Sequence, residues 1–248
     1  MRSARLPTLL GVLLVCAPSV ALAQWPPDSL VNLQVLPEDI PVRQLIGTMR
    51  GFASGLGVRC IHCHVGDDPN DLSTTDFVSD EKIEKQKARE MIRMVQRINT
   101  ELLANLPGRT DPPIEVTCAT CHHGVSKPVD IRIILANTAL EHGADSAIAE
   151  YERLREEYYG SDSYDFQPFM LANVAERIAR QAPEAALAIC EYNLTRHPTD
   201  LQSFLVIAQV NQLQGNVEGA IAAFERGLQV EPDNQFFQQQ IQRLRNRE

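Results

Sequence analysis

The chain has 248 residues, 44% of them hydrophobic and 22% charged, with a formal net charge of -9. That length allows one or two domains, and the acidic balance excludes nucleic acid as an expected partner while favouring a basic or polar docking surface. Past the first 23 residues there is no apolar run long enough to span a bilayer.

At the start of the chain, Arg2 and Arg5 precede the apolar run Leu9 to Cys16, and Ala21-Leu22-Ala23 stands before Gln24. A charged start, a short apolar centre and a small-x-small cleavage site predict a secretory signal peptide over 1–23. The mature chain is then expected to begin at Gln24, exported to the periplasm or the outer face of a bacterial membrane. Val15 is too large for a lipobox, so no lipid anchor is expected on Cys16. Residues 24–35, with Trp25-Pro26-Pro27, read as an extended linker.

From Pro37 onward Ile40, Leu45, Ile46, Met49 and Phe52 recur at helical spacing, and Gly55 and Gly57 break the chain just before Cys60. There the sequence runs Cys60-Ile61-His62-Cys63-His64. Cys-x-x-Cys-His is the attachment pattern of a c-type haem: two thiols add across the vinyl groups of one macrocycle, and the adjacent histidine is delivered to the iron. The stretch Val65 to Val78 is polar and acidic. Its Asp67, Asp68 and Asp71 miss the EF-hand spacing, and a solvated loop is expected in place of a calcium site. Ser79 is expected to cap the next helix, with Asp80 and Glu81 in its first turn. That helix should run to about Leu106 and bury Met91, Val95, Ile98 and Leu102 along one stripe. Pro107, Gly108 and Asp111-Pro112-Pro113 end it and lead to Cys118-Ala119-Thr120-Cys121-His122, a second copy of the motif.

A zinc centre built from the two Cys-x-x-Cys pairs would have to bridge the 54 residues between Cys63 and Cys118, and zinc gives no reason for a histidine after each pair. Local disulfides or a thioredoxin-like pair leave both histidines equally unexplained, and no βαβ pattern surrounds either motif. The expected cofactors are therefore two covalently bound c-type haems, on Cys60 and Cys63 and on Cys118 and Cys121, with His64 and His122 on the irons. A thioether on the opposite face closes the iron to other ligands and favours Fe(II). Met49 lies ahead of the first motif and Met94 ahead of the second, with Met91 in reserve one turn earlier. These methionines are the candidate sixth ligands, and His62, His123 and His142 are the next to consider. Of six cysteines only Cys190 is left over, and it reads as a small core residue.

The stretches NLQVLP (32–37), LIGTMRGF (45–52), LGVRCIHCH (56–64), DFVSDEK (76–82), AREMIRMVQRIN (88–99) and VTCATCHHG (116–124) carry a resemblance. Together they resemble the photosynthetic reaction centre cytochrome c subunit family, including its shorter diheme members, over roughly residues 30–128. The resemblance implies a helical domain of helix, turn and haem-binding helix units, with methionine on the preceding helix as sixth ligand. In that pattern Met49 matches the first such methionine, and Met91 and Met94 bracket the second. The photosynthetic subunit carries four haems and this chain has two motifs. Electron transfer by the same kind of haem unit is implied, and a role in photosynthesis is not.

After the second motif the character changes. Five pairs lie 34 residues apart: Met170 and Phe204, Val174 and Ala208, Ala186 and Ala220, Cys190 and Phe224, Pro198 and Pro232. With Ala208, Gly215, Ala220, Phe224 and Pro232 in one unit, the period resembles the tetratricopeptide repeat, a helical hairpin that stacks on copies of itself. Ala147–Arg153 echoes Ala220–Arg226 out of phase, so an earlier hairpin is interrupted near Tyr159 to Tyr164, and Gln235 to Arg245 reads as a polar closing helix.

The expected fold is all-α: a diheme cytochrome c domain over 36–130 followed by a tetratricopeptide-like helical array over 131–248. Three functions compete. One is an exported carrier of single electrons between a donor and an acceptor, including a membrane-associated redox complex, with the array docking a partner. A second is a diheme enzyme of the peroxidase kind, which requires an open or displaceable sixth position. The third is a haem protein whose repeats assemble copies into a larger array. The carrier is preferred because methionines stand ahead of both motifs and no distal acid-base pair is evident.

Overall fold

The computed structural model describes residues 30–108 and 110–246. The expected signal peptide, 1–23, and the linker residues 24–29 lie outside the described residues. Among those described the chain is all-α, with ten α-helices and no strand beyond one isolated antiparallel bridge between Val65 and Asp76. No helix among them is long and apolar enough to cross a membrane.

The chain divides into two compact units. One comprises the described residues of Met1–Arg50 and of Arg59–Ile114; the other comprises Gly51–Val58 with the described residues of Glu115–Glu248. Helix α1, Val42–Leu56, begins in the first and ends in the second.

In the first unit, α1 is followed by a 3-10 turn at Cys60–His62, a loop with a second 3-10 turn at Leu72–Thr74, and α2 at Ile83–Arg97. The loop aspartates serve turns: Asp68 accepts from the Asn70 N–H, and Asp71 caps the short helix by accepting from the Ser73 N–H. Helix α2 begins later than the sequence suggests, with Lys82 at its N-cap position. Ser79 accepts from the Glu81 N–H instead, and Asp80 is drawn away from a helical first turn into ion pairs with Lys85 (3.2 Å) and Arg89 (2.8 Å). Beyond Arg97 the helix widens to a π turn over Ile98–Leu102 and tightens to a 3-10 turn over Leu103–Asn105. There the Thr100 hydroxyl back-bonds to the Gln96 carbonyl, a local competition that loosens helical geometry.

The expected burial of the α2 stripe is corrected. Met91 and Leu102 are 44% and 63% exposed, and Val95 and Ile98 are only half-buried. Amphipathic spacing identifies the face that avoids water; it does not say that protein covers that face. What is buried here is polar: Thr75, Lys85 and Arg89. The unit holds few buried apolar side chains of its own, Ile40 among them.

The second unit contains α3 (Cys118–His122) and then seven further helices: α4 (Ile131–His142), α5 (Ala144–Tyr158), α6 (Met170–Ile178), α7 (Pro183–Arg196), α8 (Leu201–Leu213), α9 (Val217–Val230) and α10 (Gln235–Arg245). Helix α4 packs on α5, and from α6 to α10 each helix packs on the next, while α4 on α6, α5 on α7 and α6 on α8 pack one step further along. This is the contact pattern of stacked hairpins. One continuous apolar core runs from Ile131 to Leu244.

The 34-residue spacing has a structural meaning. All eight helical members of the spaced pairs, Met170, Phe204, Val174, Ala208, Ala186, Ala220, Cys190 and Phe224, are buried. Helix α7 starts at residue 183 and α9 at 217, α8 at 201 and α10 at 235, so the starts repeat at the same interval. Pro198 and Pro232 occupy the corresponding turns, followed by the N-caps Asp200 and Asn234, which accept from the Ser203 and Phe237 N–H groups. The phase break falls on residues 159–169, an irregular segment between α5 and α6. The closing helix α10 is polar outside but buries Phe237, Ile241 and Leu244.

Candidate haem-binding sites

At the first motif the backbone forms a single tight turn. The Cys63 N–H donates to the Cys60 carbonyl (3.2 Å) and the His64 N–H to the same carbonyl (3.0 Å). In a 3-10 turn residues three apart eclipse, which carries the two thiols to one side. At the second motif the same result comes from α3, whose i and i+3 residues Cys118 and Cys121 share a face. The Thr120 hydroxyl accepts from the Thr117 N–H (3.0 Å) and closes the start of that short helix. All four cysteines are free thiols, and burial raises the pKa of Cys63 and Cys118.

The two histidines are prepared differently. His122 Nδ1 lies 2.9 Å from the Val125 carbonyl. A carbonyl only accepts, so Nδ1 carries a proton and Nε2 is the nitrogen left for a metal. His64 has no such partner: its Nδ1 is buried and unpaired. Burial, reinforced by nearby Lys85, pushes its pKa down to about 4, so the ring is neutral at pH 7. Its ring stands 5.0 Å from that of Phe77 at a 59° tilt.

Phe77 reaches that position because the loop is closed behind it. The Asp76 N–H donates to the Val65 carbonyl (2.7 Å). Gly66 permits the approach, since a Cβ there would lie 2.9 Å from the buried Thr75 hydroxyl. Lys85 fixes the other end, with Nζ donating to the carbonyls of Phe77 (2.9 Å), Val78 (3.1 Å) and Ser79 (2.8 Å). Lys82 donates to the Ile61 carbonyl inside the motif itself. Asn32, with φ 68°, ties the start of the described chain to this cluster through Asp80 (2.9 Å).

The glycines before the first motif have a second use. Gly57, at φ +64°, ends α1; a Cβ on it would lie 1.9 Å from the Gly124 carbonyl oxygen. A Cβ on Gly55 would meet the Ala119 nitrogen at 3.0 Å and Cys118 Cβ at 3.2 Å, and the Gly55 carbonyl accepts from the Gly124 N–H (3.0 Å). The end of α1 therefore packs on the second motif.

Met49 is half-buried on α1, in the same unit as His64. Met91 and Met94 project from α2 in the first unit, whereas the second motif belongs to the other unit. Cys190 is fully buried in the helical array, its thiol pushed up to about 12 by that burial. His62 is half-buried, and His123 and His142 are exposed. Sequence spacing did not single out Phe77, Lys85, Gly124 or Val125. Phe77 and Gly124 do lie within stretches that carried the resemblance, with Lys85 and Val125 just beyond their ends.

An unpaired imidazole nitrogen, a second imidazole fixed in the metal-ready tautomer, and two pairs of unbonded thiols each brought to one side fit covalently held haem. So does a helix that presents apolar side chains, thioethers among them, uncovered by protein.

The family model described as "Photosynthetic reaction centre cytochrome C subunit" matches residues 37–137 and 59–188. Cytochrome c-554 of Chloroflexus aurantiacus is 35% identical over 100 residues, a stretch that is 37% of this chain and 22% of the relative. The chain thus spans under a quarter of that relative's length. No solved structure matches.

Proposed function

This chain belongs to the photosynthetic reaction centre cytochrome c subunit family and is a c-type cytochrome, and on that footing we propose that it is an exported diheme carrier of single electrons. Cys60 and Cys63 hold one haem and Cys118 and Cys121 the other, with His64 and His122 on the irons. When bound, such a haem supplies an iron that exchanges one electron between Fe(III) and Fe(II).

The observation that carries this reading is the fixed tautomer of His122. An imidazole whose Nδ1–H is spent on the Val125 carbonyl offers only Nε2, and offers it neutral, without a proton to release first. His64 is held neutral by burial. Met49 would supply the thioether of the first haem. Met94, with Met91 in reserve, would supply the thioether of the second haem. Thioether ligation of both haems would suit reversible electron transfer over catalysis, because it would leave no position open to substrate.

The helical array, read as tetratricopeptide-like, serves to dock a redox partner, consistent with the repeating burial and with exposed Leu213 and Phe236 on its helices. Partners within a membrane-associated redox complex fit the family.

The test is haem attachment in exported protein. The wild type should carry two haems per chain that survive denaturing electrophoresis, and Cys60→Ser with Cys63→Ser should leave one, as should Cys118→Ser with Cys121→Ser. Wild-type protein that binds zinc and no haem would overturn the proposal.

A further inference from the structure

We propose that Ser163, 40 residues downstream of His123, is a positioning residue for His122, a role that rests on reading His122 as an iron ligand. The hydroxyl of Ser163 donates to the His123 carbonyl at 2.6 Å. That contact comes from the irregular segment interrupting the helical rhythm and gives the interruption a use.

Residues His122 to Val125 form a tight turn. The Val125 N–H donates to the His122 carbonyl (2.9 Å), and the two central residues both have positive φ, 49° for His123 and 81° for Gly124. This is the I′ pattern. Gly124 adopts it freely, whereas His123 carries a Cβ and is strained there. A strained residue persists where its surroundings over-determine it.

Those surroundings act on one peptide unit. The His123 carbonyl and the Gly124 N–H belong to the same plane, the central peptide of the turn. Ser163 holds its oxygen end and the Gly55 carbonyl its nitrogen end (3.0 Å). Rotating that plane interconverts turn types and changes the path of the chain into Val125, whose carbonyl fixes the His122 tautomer. Ser163 therefore acts on the ligand through the turn, without touching it.

Its own footing is firm. Gly160, at φ +86°, turns the chain out of α5, and the Ser161 hydroxyl donates to the Tyr158 carbonyl (2.7 Å). Beyond Ser163, Tyr164 packs edge-on to Tyr158 (5.2 Å between ring centres) and Phe166 edge-on to Tyr151 (5.9 Å), a side chain of the buried core. The array thereby reaches back to the second motif and grips it.

The experiment uses reduced, diamagnetic holoprotein labelled with 15N-histidine. The Nδ1 protons of His64 and His122 are told apart by the closeness of His64 to Phe77. In Ser163→Ala the His122 Nδ1 proton should exchange with solvent roughly five- to tenfold faster, the factor one neutral hydrogen bond is worth, while His64 is unchanged. The potential of the second haem should shift while the first holds. Ser163→Thr should restore both, and Ser161→Ala should move neither. Wild-type protein without haem on Cys118 and Cys121 would overturn the functional reading, and this proposal with it. Haem present there, with unaltered His122 exchange and potential in Ser163→Ala, would overturn this proposal alone.

Discussion

His64 and His122 occupy the same place in the same five-residue motif, yet burial holds His64 neutral while a hydrogen bond fixes which nitrogen of His122 carries a proton. The methionines proposed as partner ligands are the sharper test. Replacing Met49 by histidine should keep the first iron six-coordinate, abolish one sulfur-to-iron absorption band and lower one potential only. The shift should be on the order of 0.1 V, a fraction of the range axial ligands cover. Replacing Met94 should do the same to the other haem, and if both potentials survive either change, that methionine is packing. Lys85 makes a different prediction. It is the buried donor to three loop carbonyls, and Lys85→Ala should destabilise the unit by about 2–3 kcal/mol, read by denaturant unfolding. Its partner Asp80 has a depressed carboxyl pKa, chiefly through the hydrogen bond from Arg89. A depressed folded pKa contributes stability that is complete above the ordinary carboxylate value of about 4 and is lost as pH falls below it. A pH series of melting temperatures should therefore drop on the acid side in the wild type and less steeply in Asp80→Asn. At this scale the motifs were legible because thioether attachment is local chemistry. Phe77, Lys85 and Val125 were not, because nothing in sequence spacing says which carbonyl a lysine or an imidazole will find.

Among the elements, the helical array was the more legible part. A 34-residue spacing of small, aromatic and proline residues located turns and buried faces, because each hairpin meets its neighbours in the same way. The caps differ within that repeat. Asp200 accepts from the Ser203 N–H (3.0 Å), the Ser203 hydroxyl (2.6 Å) and buried Asn193 (2.9 Å), whereas Asn234 caps with the single bond to the Phe237 N–H (3.1 Å). Asp200→Ala should thus cost about 2 kcal/mol of stability and Asn234→Ala about 1, by thermal unfolding; equal costs would remove Asn193 from the account. Helix α2 was less legible. Its start was misplaced because Asp80 answers to two cations a turn and more away, and its apolar stripe was expected to be covered by protein. The two glycines ahead of Cys60 were read as a break, and Gly57 is one. The close approach of both to the second motif depends on a partner more than 60 residues away.

For the whole molecule, we propose that residues 131–248, whose continuous core runs from Ile131 to Leu244, fold alone. That fragment should unfold cooperatively and keep its helical signal with no haem present; a non-cooperative, weakly helical fragment would show that the array needs the rest of the chain. The first unit carries the opposite expectation. With few buried apolar side chains of its own, it should lose compactness when its cysteines are replaced and haem is not attached. The central claim, two irons in one chain each taking a single electron under histidine and methionine, is tested most directly by one measurement. A coulometric redox titration of the exported holoprotein, followed through the sulfur-to-iron band, should take up two electrons per chain. It should also lose that band in two steps. Uptake of one electron or none, or two electrons with no sulfur-to-iron band in the oxidised protein, would contradict it.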